Sequence, residues 1–137
     1  MKYLIDTNIC IYIIKKKYSF LLEKIEKTGL EQIGISSITL AEMEYGIEKS
    51  ANTEQNRMAL IEFLLPFEII DFDRIDSFIY GTIRNNLKKK GTPIGPMDML
   101  LASQAINRNL IFVTNNEKEF SRVEKLKIEN WSKNIGT

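Results

Sequence analysis

An α/β fold with a mostly parallel central sheet is the class this sequence predicts, and three observations carry it. Short runs rich in aliphatic and β-branched residues recur at 2–5, 33–36, 67–71, 110–113 and 127–130. Between them lie longer segments whose apolar residues return at helical spacing. The length, 137 residues, suits one domain over 1–137 with a core of its own. Strand and helix in alternation are what a parallel sheet needs, because each parallel connection must cross back over it.

Residues 2–5 read as a buried strand. Thr7 to about Lys16 read as a helix with Ile9, Tyr12 and Ile13 turned inward. A second short helix at 18–28 rests on the spacing of Phe20, Leu21 and Ile25, and Gly29 stops it. The second strand is 33–36, and the helix after it, 37–48, closes near Gly46. An amphipathic segment at 53–65 groups Met58, Ile61, Leu64 and Leu65 until Pro66 ends it. Residues 67–71 form the third strand. The long helix at 74–90 is expected to turn Ile75, Phe78, Ile79 and Ile83 inward, with Lys88, Lys89 and Lys90 at its negative dipole end.

Past the Gly91-Thr92-Pro93 loop, Pro96 is well placed to open a helix over 96–108 that carries Met99, Leu100, Ala102 and Ile106. The apolar strand at 110–113 runs into the turn Thr114-Asn115-Asn116. A short helix at 117–123 and a small strand at 127–130 close the chain, with Trp131 packing behind that strand.

Composition removes several chemistries. There is no histidine, so Ser-His-Asp and Cys-His catalysis and His-based zinc sites are excluded. One cysteine, Cys10, allows neither an internal disulfide nor a cysteine-cluster metal site, and its apolar surroundings point to a buried, inert thiol. A formal net charge of +1 creates no global field toward nucleic acid, so any such binding must be local. Asp6 and Asn8 interrupt the N-terminal apolar run, and no apolar segment reaches the roughly 18 residues of a membrane span. A cytoplasmic protein without a membrane partner is expected.

Three acids, Asp6, Glu42 and Asp98, each follow a strand and stand at or near a helix start. Each has a structural reading. Asp6 could cap its helix, Glu42 completes a T-x-x-E capping box with Thr39, and Asp98 suits a first helical turn. In a parallel sheet, however, the C-terminal strand ends share one edge, where ligands bind. Two carboxylates about 5 Å apart at an effective dielectric of about 20 repel by roughly 3 kcal/mol. Three together raise one another's pKa unless a cation lies between them, and all-oxygen ligands suit Mg²⁺ or Mn²⁺. The fourth position stays open between Asn116, also a natural turn former, and Glu119, also a natural solvated helix residue.

The motifs Leu4-Ile5-Asp6-Thr7-Asn8, Ser36-x-x-Thr39-x-x-Glu42 with Gly46, Ile94-Gly95-Pro96-x-Asp98 and Val113-Thr114-Asn115-Asn116-x-x-Glu119-Phe120 resemble, in order, those of PIN-domain nucleases. The resemblance covers nearly the whole chain, and the closest branch is the VapC toxins of bacterial type II toxin–antitoxin pairs. It implies a single PIN-like three-layer α/β/α domain and a Mg²⁺-dependent endoribonuclease, with Mn²⁺ as the alternative ion. It also implies a homodimer neutralised by a VapB-type antitoxin whose tail crosses the acidic site, with operator DNA bound only through that antitoxin. The branch is similar to toxins that cut initiator tRNA in the anticodon loop. On this reading Asp6, Glu42 and Asp98 hold metal, Glu119 joins them as a catalytic acid, and Thr7, Asn8, Thr114 and Asn116 support them. Many PIN domains carry Asp where Asn116 stands, and Glu119 is then the residue to supply the missing charge.

Substrate would be held by local cations, for which Lys15–Lys17, Arg84, Lys88–Lys90 and Arg108 are candidates, each also readable as a solvated face. The helices around 38–64, with Met43, Tyr45, Ile47 and Met58, are either ordinary core or a groove for an antitoxin helix. Two other readings stand beside the nuclease. One is a degenerate PIN fold that only binds a partner. The other is a metal-dependent phosphatase of the haloacid-dehalogenase type, which wants an Asp where Asn8 stands.

Overall fold

The order of the strands decides where the acids meet. The computed structural model describes residues 1–132; residues 133–137 of the expected domain lie outside the described part. Tyr3–Ile5 (β1) occupies the centre of a five-stranded sheet. Ile33–Ser36 (β2) and then Glu68–Ile70 (β3) extend it on one side, and Ile111–Val113 (β4) and then Ile128–Glu129 (β5) on the other. Every pairing is parallel, with Tyr3 level with both Ile33 and Ile111. The chain therefore leaves β1 toward one edge and later returns to its other side. The carboxyl ends of β1 and β4 flank the point where strand order reverses, which is where open α/β sheets form ligand crevices.

Helices cover both faces. Thr7–Ile14 (α1) and Ser19–Thr28 (α2) follow β1, and Ser37–Glu48 (α3) and Thr53–Leu64 (α4) follow β2. Arg74–Lys89 (α5) and Pro96–Asn107 (α6) follow β3, and the short Glu117–Phe120 (α7) follows β4. A 3-10 turn at Leu30–Gln32, not foreseen, leads into β2. Successive strand side chains point to opposite faces. Leu4 and Phe112 accordingly enter one core with Ile83, Leu87 and Leu101 of α5 and α6, while Ile5 and Val113 enter the other with Ile9, Leu21 and Met43. Burial on both faces is why the strands read as unbroken apolar runs. At Gly34 a Cβ would stand 2.6 Å from the tips of the Ile70 and Met1 side chains, so any larger residue there would have to displace them. Trp131 is buried as expected, edge-on to Tyr3 with ring centroids 4.9 Å apart.

Two helix faces differ from the expectation. In α5, Ile75 and Phe78 are 59% and 78% exposed; the inward stripe is Asp76, Tyr80, Ile83 and Leu87. That stripe begins with an acid, which apolar periodicity cannot place inside. Asp76 is fully buried because Arg108 and Asn107, at the end of α6, donate to its Oδ1 at 2.7 and 2.9 Å, while Asp76 completes a capping box with Asp73. Burial pushes the Asp76 carboxyl up, and the hydrogen bonds from Arg108, the Asp73 backbone and Asn107 more than reverse it, leaving it below the usual value. In α4, Met58, Ile61 and Leu65 are exposed and Leu60 is the buried residue, one turn from Arg57, which pairs with Glu44 and Glu48.

Candidate metal and catalytic site

Asp6 ends β1 and caps α1. Its backbone N–H donates to the Val113 carbonyl at 2.8 Å, so the residue is clamped between β1 and β4 before its side chain does anything. Both carboxylate oxygens then receive donors: the Thr7 amide reaches Oδ1 at 2.7 Å and the Thr114 hydroxyl reaches Oδ2 at 2.8 Å. Asp6 is only 5% exposed. Burial raises its pKa; Thr114 and Thr7 pull the other way, and the charge of Glu42 adds to the rise. The cap and the site acid are thus one residue in two roles.

Glu42 sits on α3, and the residue that places it is Thr7. The Thr7 hydroxyl donates to Glu42 Oε1 at 2.8 Å and lies 3.0 Å from the Thr39 hydroxyl, so with its own proton committed it accepts from Thr39. Thr7 thereby joins Asp6 to Glu42 across 35 residues of chain. The capping box read from Thr39 and Glu42 does not form. The N-cap of α3 is Ser36, whose hydroxyl accepts from the Ile38 amide, which leaves Thr39 and Glu42 inside the helix and free to face α1.

Asp98 lies in the first turn of α6 behind Gly95 and Pro96. A Cβ on Gly95 would stand 3.3 Å from Asp98 Oδ2, so the glycine leaves room for the carboxylate at the helix mouth. The Asp98 pKa is pushed up to about 6, first by burial and then by the charges of Asp6, Glu119 and Glu42. All four acids therefore share one field. Glu119, on α7, accepts from the Asn116 side-chain amide at 2.9 Å, and the Asn116 backbone amide donates to Thr114 Oγ1 at 3.0 Å. At the open fourth position the two candidates are thus hydrogen-bonded to each other.

Of the supporting residues, Thr7, Thr114 and Asn116 touch the acids. Asn8 does not: it is exposed on α1, and among the described residues it hydrogen-bonds to none of the four carboxylates. Asn115, not singled out from sequence beyond its motif, donates from Nδ2 to the Tyr12 hydroxyl at 2.9 Å, while its Oδ1 is buried without a partner. Among the candidate cations, Arg108 is committed to Asp73 and Asp76, and Lys90 to Glu124. Cys10 is buried under the site, and burial pushes its thiol well above the usual value, as an inert thiol requires.

The donor set fits a divalent ion. It offers only hard oxygens, and among the described residues no Lys or Arg pairs with any of the four acids. No three Asp or Glu side chains among the described residues stand close enough to form a closed cage. Mg²⁺ needs no such cage, because it commonly takes one or two carboxylates directly and keeps water in the rest of its shell.

Comparison with known proteins agrees with this geometry. The family model described as the PIN domain matches residues 3–126. A protein named ribonuclease VapC2 from Rickettsia felis is 48% identical over 97% of this chain and 100% of its own length. A tRNA(fMet)-specific endonuclease VapC from Salmonella typhimurium is 40% identical over 96% and 98%. The crystal structure of VapBC2 from Rickettsia felis bound to a promoter DNA fragment contains a chain that superposes with a TM-score of 0.89 at 45% identity, covering 96% of this chain and 99% of that one. The chain belongs to the PIN-domain family, among its VapC ribonucleases.

Proposed function

We propose that this chain is the toxin of a type II toxin–antitoxin pair, a divalent-metal-dependent endoribonuclease that hydrolyses RNA phosphodiester bonds and so arrests translation and growth. One observation carries the reading. Asp6, Glu42, Asp98 and Glu119 come from four elements to one sheet edge, where burial first and then the charges of the other three raise the Asp98 pKa to about 6, and among the described residues no basic side chain pairs with any of them. A protein needing only a stable helix mouth gains nothing from that arrangement.

Asp6, Glu42 and Asp98 would hold the ion, one or two of them directly and the rest through its water shell, with Glu119 as the fourth acid. A bound Mg²⁺, or Mn²⁺ in its place, activates water for attack on the phosphate and offsets charge on the leaving oxygen. Thr114 and the Thr7 amide fix the Asp6 carboxylate, the Thr7 hydroxyl fixes Glu42, and Asn116 fixes Glu119, so three acids are oriented before substrate arrives. Water attacking the phosphorus while the P–O3′ bond breaks, with the 3′-oxygen leaving as the hydroxyl, gives 5′-phosphate and 3′-hydroxyl ends. The relative from Salmonella typhimurium, named a tRNA(fMet)-specific endonuclease, supports initiator tRNA as the substrate, with the anticodon loop as the place of cutting that the sequence resemblance implies.

The partner is a VapB-type antitoxin that carries the operator-binding surface, as the promoter-bound VapBC2 complex supports. A groove between α1, α3 and α4, lined by Ile11, Ile14, Met43, Ile47 and Leu60, opens beside Glu42 and fits an amphipathic helix. No helix among the described residues is long and apolar enough to cross a membrane. We place the protein in the cytoplasm, as a homodimer. The direct test is incubation with total tRNA and with p-nitrophenyl phosphate, in Mg²⁺ and in EDTA, with the RNA ends mapped. Mg²⁺-dependent cuts bearing 5′-phosphate are expected, and Asp98→Asn should abolish them. Phosphatase turnover without RNA cleavage, or RNA cleavage in EDTA, would overturn the reading.

A further inference from the structure

We infer that Lys15 and Lys17, at the end of α1, form a cationic subsite that binds RNA phosphates next to the cleaved bond. The inference rests on the nuclease reading above and adds which side of the acidic site the strand runs along.

An acidic centre that must admit a polyanion needs cations at its rim, and several of the basic groups here are already committed to carboxylates or hydrogen bonds elsewhere. Arg57 pairs with Glu44 and Glu48, Lys90 with Glu124, and Arg108 with Asp73 and Asp76, while Arg84 donates to the Tyr80 hydroxyl. Lys15, Lys16 and Lys17 are exposed, and among the described residues none of them is ion-paired.

Two contacts tie this cluster to the acids. Lys15 lines the same groove as Glu42. Lys17 Nζ lies 5.0 Å from the centre of the Tyr12 ring and 5.4 Å from that of Tyr18, and the Tyr12 hydroxyl accepts from Asn115 at 2.9 Å. Asn115 adjoins Thr114, the donor to Asp6. A cation seated on two rings is held in place yet keeps its charge, because aromatic faces attract it without neutralising it.

The backbone turn that creates this seat is uncommon for its residue. The Lys16 amide donates to the Ile13 carbonyl and the Lys17 amide to the Tyr12 carbonyl, each at 3.0 Å, which is the Schellman pattern of helix termination. Its left-handed position is usually glycine, yet here Lys16 takes φ 52°. That turn sends Lys17 back over Tyr12. Favourable contact with the helix dipole accounts for positive charge at this end of α1, but not for the placing of Lys17 on the ring that braces Asn115.

The test is the salt dependence of tRNA cleavage in Mg²⁺ for the full chain and for Lys15→Ala/Lys17→Ala, with Lys27→Ala as control. Lys27 lies with Lys2 and Tyr3 at the opposite end of β1. Each lost phosphate contact to a single strand removes about 0.7 from the log–log salt slope, so the double variant should lose about 1.4. Its KM should rise about tenfold at 100 mM salt, roughly what two such contacts contribute. Lys17→Arg, which keeps charge and ring stacking, should restore its share. Wild-type protein that cleaves while the double variant matches its KM and slope overturns the subsite alone; so does a double variant that cleaves normally but escapes antitoxin, which would assign the lysines to that partner. A wild-type protein that cleaves no RNA overturns the nuclease reading and the subsite with it.

Discussion

Replacing Asp98 with Asn should make the metal-free protein more stable while removing its activity. The Asp98 pKa stands near 6 in the folded chain against 3.8 for an unperturbed side chain, because burial and the charges of Asp6, Glu119 and Glu42 disfavour its ionised form. Below pH 3.8 the group is protonated in both folded and unfolded states and contributes nothing. Between about 4 and 6 the unfolded chain has released the proton and the folded chain has not, so stability falls as pH rises through that window. The loss is complete above about pH 6. A separation of about two pH units at roughly 1.4 kcal/mol each makes it about 3 kcal/mol at most, and partial hydration of Asp98 brings it to about 1–3 kcal/mol. Asn has the same shape without the charge. At pH 7.5 in EDTA, Asp98→Asn should therefore melt higher by about 3–10 °C, with the gap closing toward pH 4. Adding Mg²⁺ should raise the wild-type melting temperature and leave the variant nearly unmoved, since only a native state that binds the ion gains from it. An Asp98→Asn protein no more stable than wild type at pH 7.5 in EDTA would refute the idea that these carboxylates share one repulsive field.

The hydroxyls and amides around the acids make further predictions. Thr114→Val keeps the shape but removes the donor to Asp6 and the acceptor for Asn116, and should weaken Mg²⁺ binding about 10–100-fold, read from the Mg²⁺ dependence of the melting temperature. Asn116→Asp replaces a donor to Glu119 with a second charge. It should cost about 1–2 kcal/mol in EDTA and enlarge the stabilisation by Mg²⁺, both measurable by urea unfolding. Arg108→Ala strands the fully buried Asp76 and should cost about 3 kcal/mol at pH 7 by the same method. Because the Asp76 pKa is lowered, its contribution is present at neutral pH and fades as pH falls through the folded value, so wild type and Arg108→Ala should converge in acid.

The sheet and the acids could be read from the sequence because both rest on local signals. Apolar runs buried on two faces look alike wherever they occur, and Asp6, Glu42 and Glu119 fall at or just beyond the carboxyl ends of β1, β2 and β4; Asp98 departs from the expected pattern, since it follows a helix, α5, and not a strand. What stayed hidden depends on partners distant in sequence. Asp76 faces the core only because Arg108, 32 residues on, meets it, whereas apolar spacing alone points to Ile75 and Phe78. The Thr39–Glu42 box is a sound local motif, but Ser36 caps α3 and Thr7 claims both residues. Nor can Asn116 and Glu119 be told apart residue by residue, since the contact between their side chains is invisible to local pattern. Asn8 had only its motif to recommend it, and its position on α1 turns it to solvent.

The groups that hold the acids are, without exception among the described residues, neutral. Asp6, Glu42 and Glu119 are fixed by hydroxyls and amides from Thr7, Thr114 and Asn116, and Thr39 in turn fixes Thr7. A lysine or arginine in any of these places would relieve the repulsion and stabilise the empty fold, but it would also occupy the space and cancel the charge that a metal ion needs. Neutral donors orient without neutralising. The same logic extends one layer deeper, where Gln104 of α6 is fully buried, accepting from the Ser36 hydroxyl and donating to the Ile70 carbonyl at 3.1 Å. Ser36 caps the helix that carries Glu42, and Gln104 lies on the helix that carries Asp98. A single uncharged side chain thus joins α6 to the start of α3 and to the ends of β2 and β3, tying together the two helices that carry Glu42 and Asp98 without adding a charge.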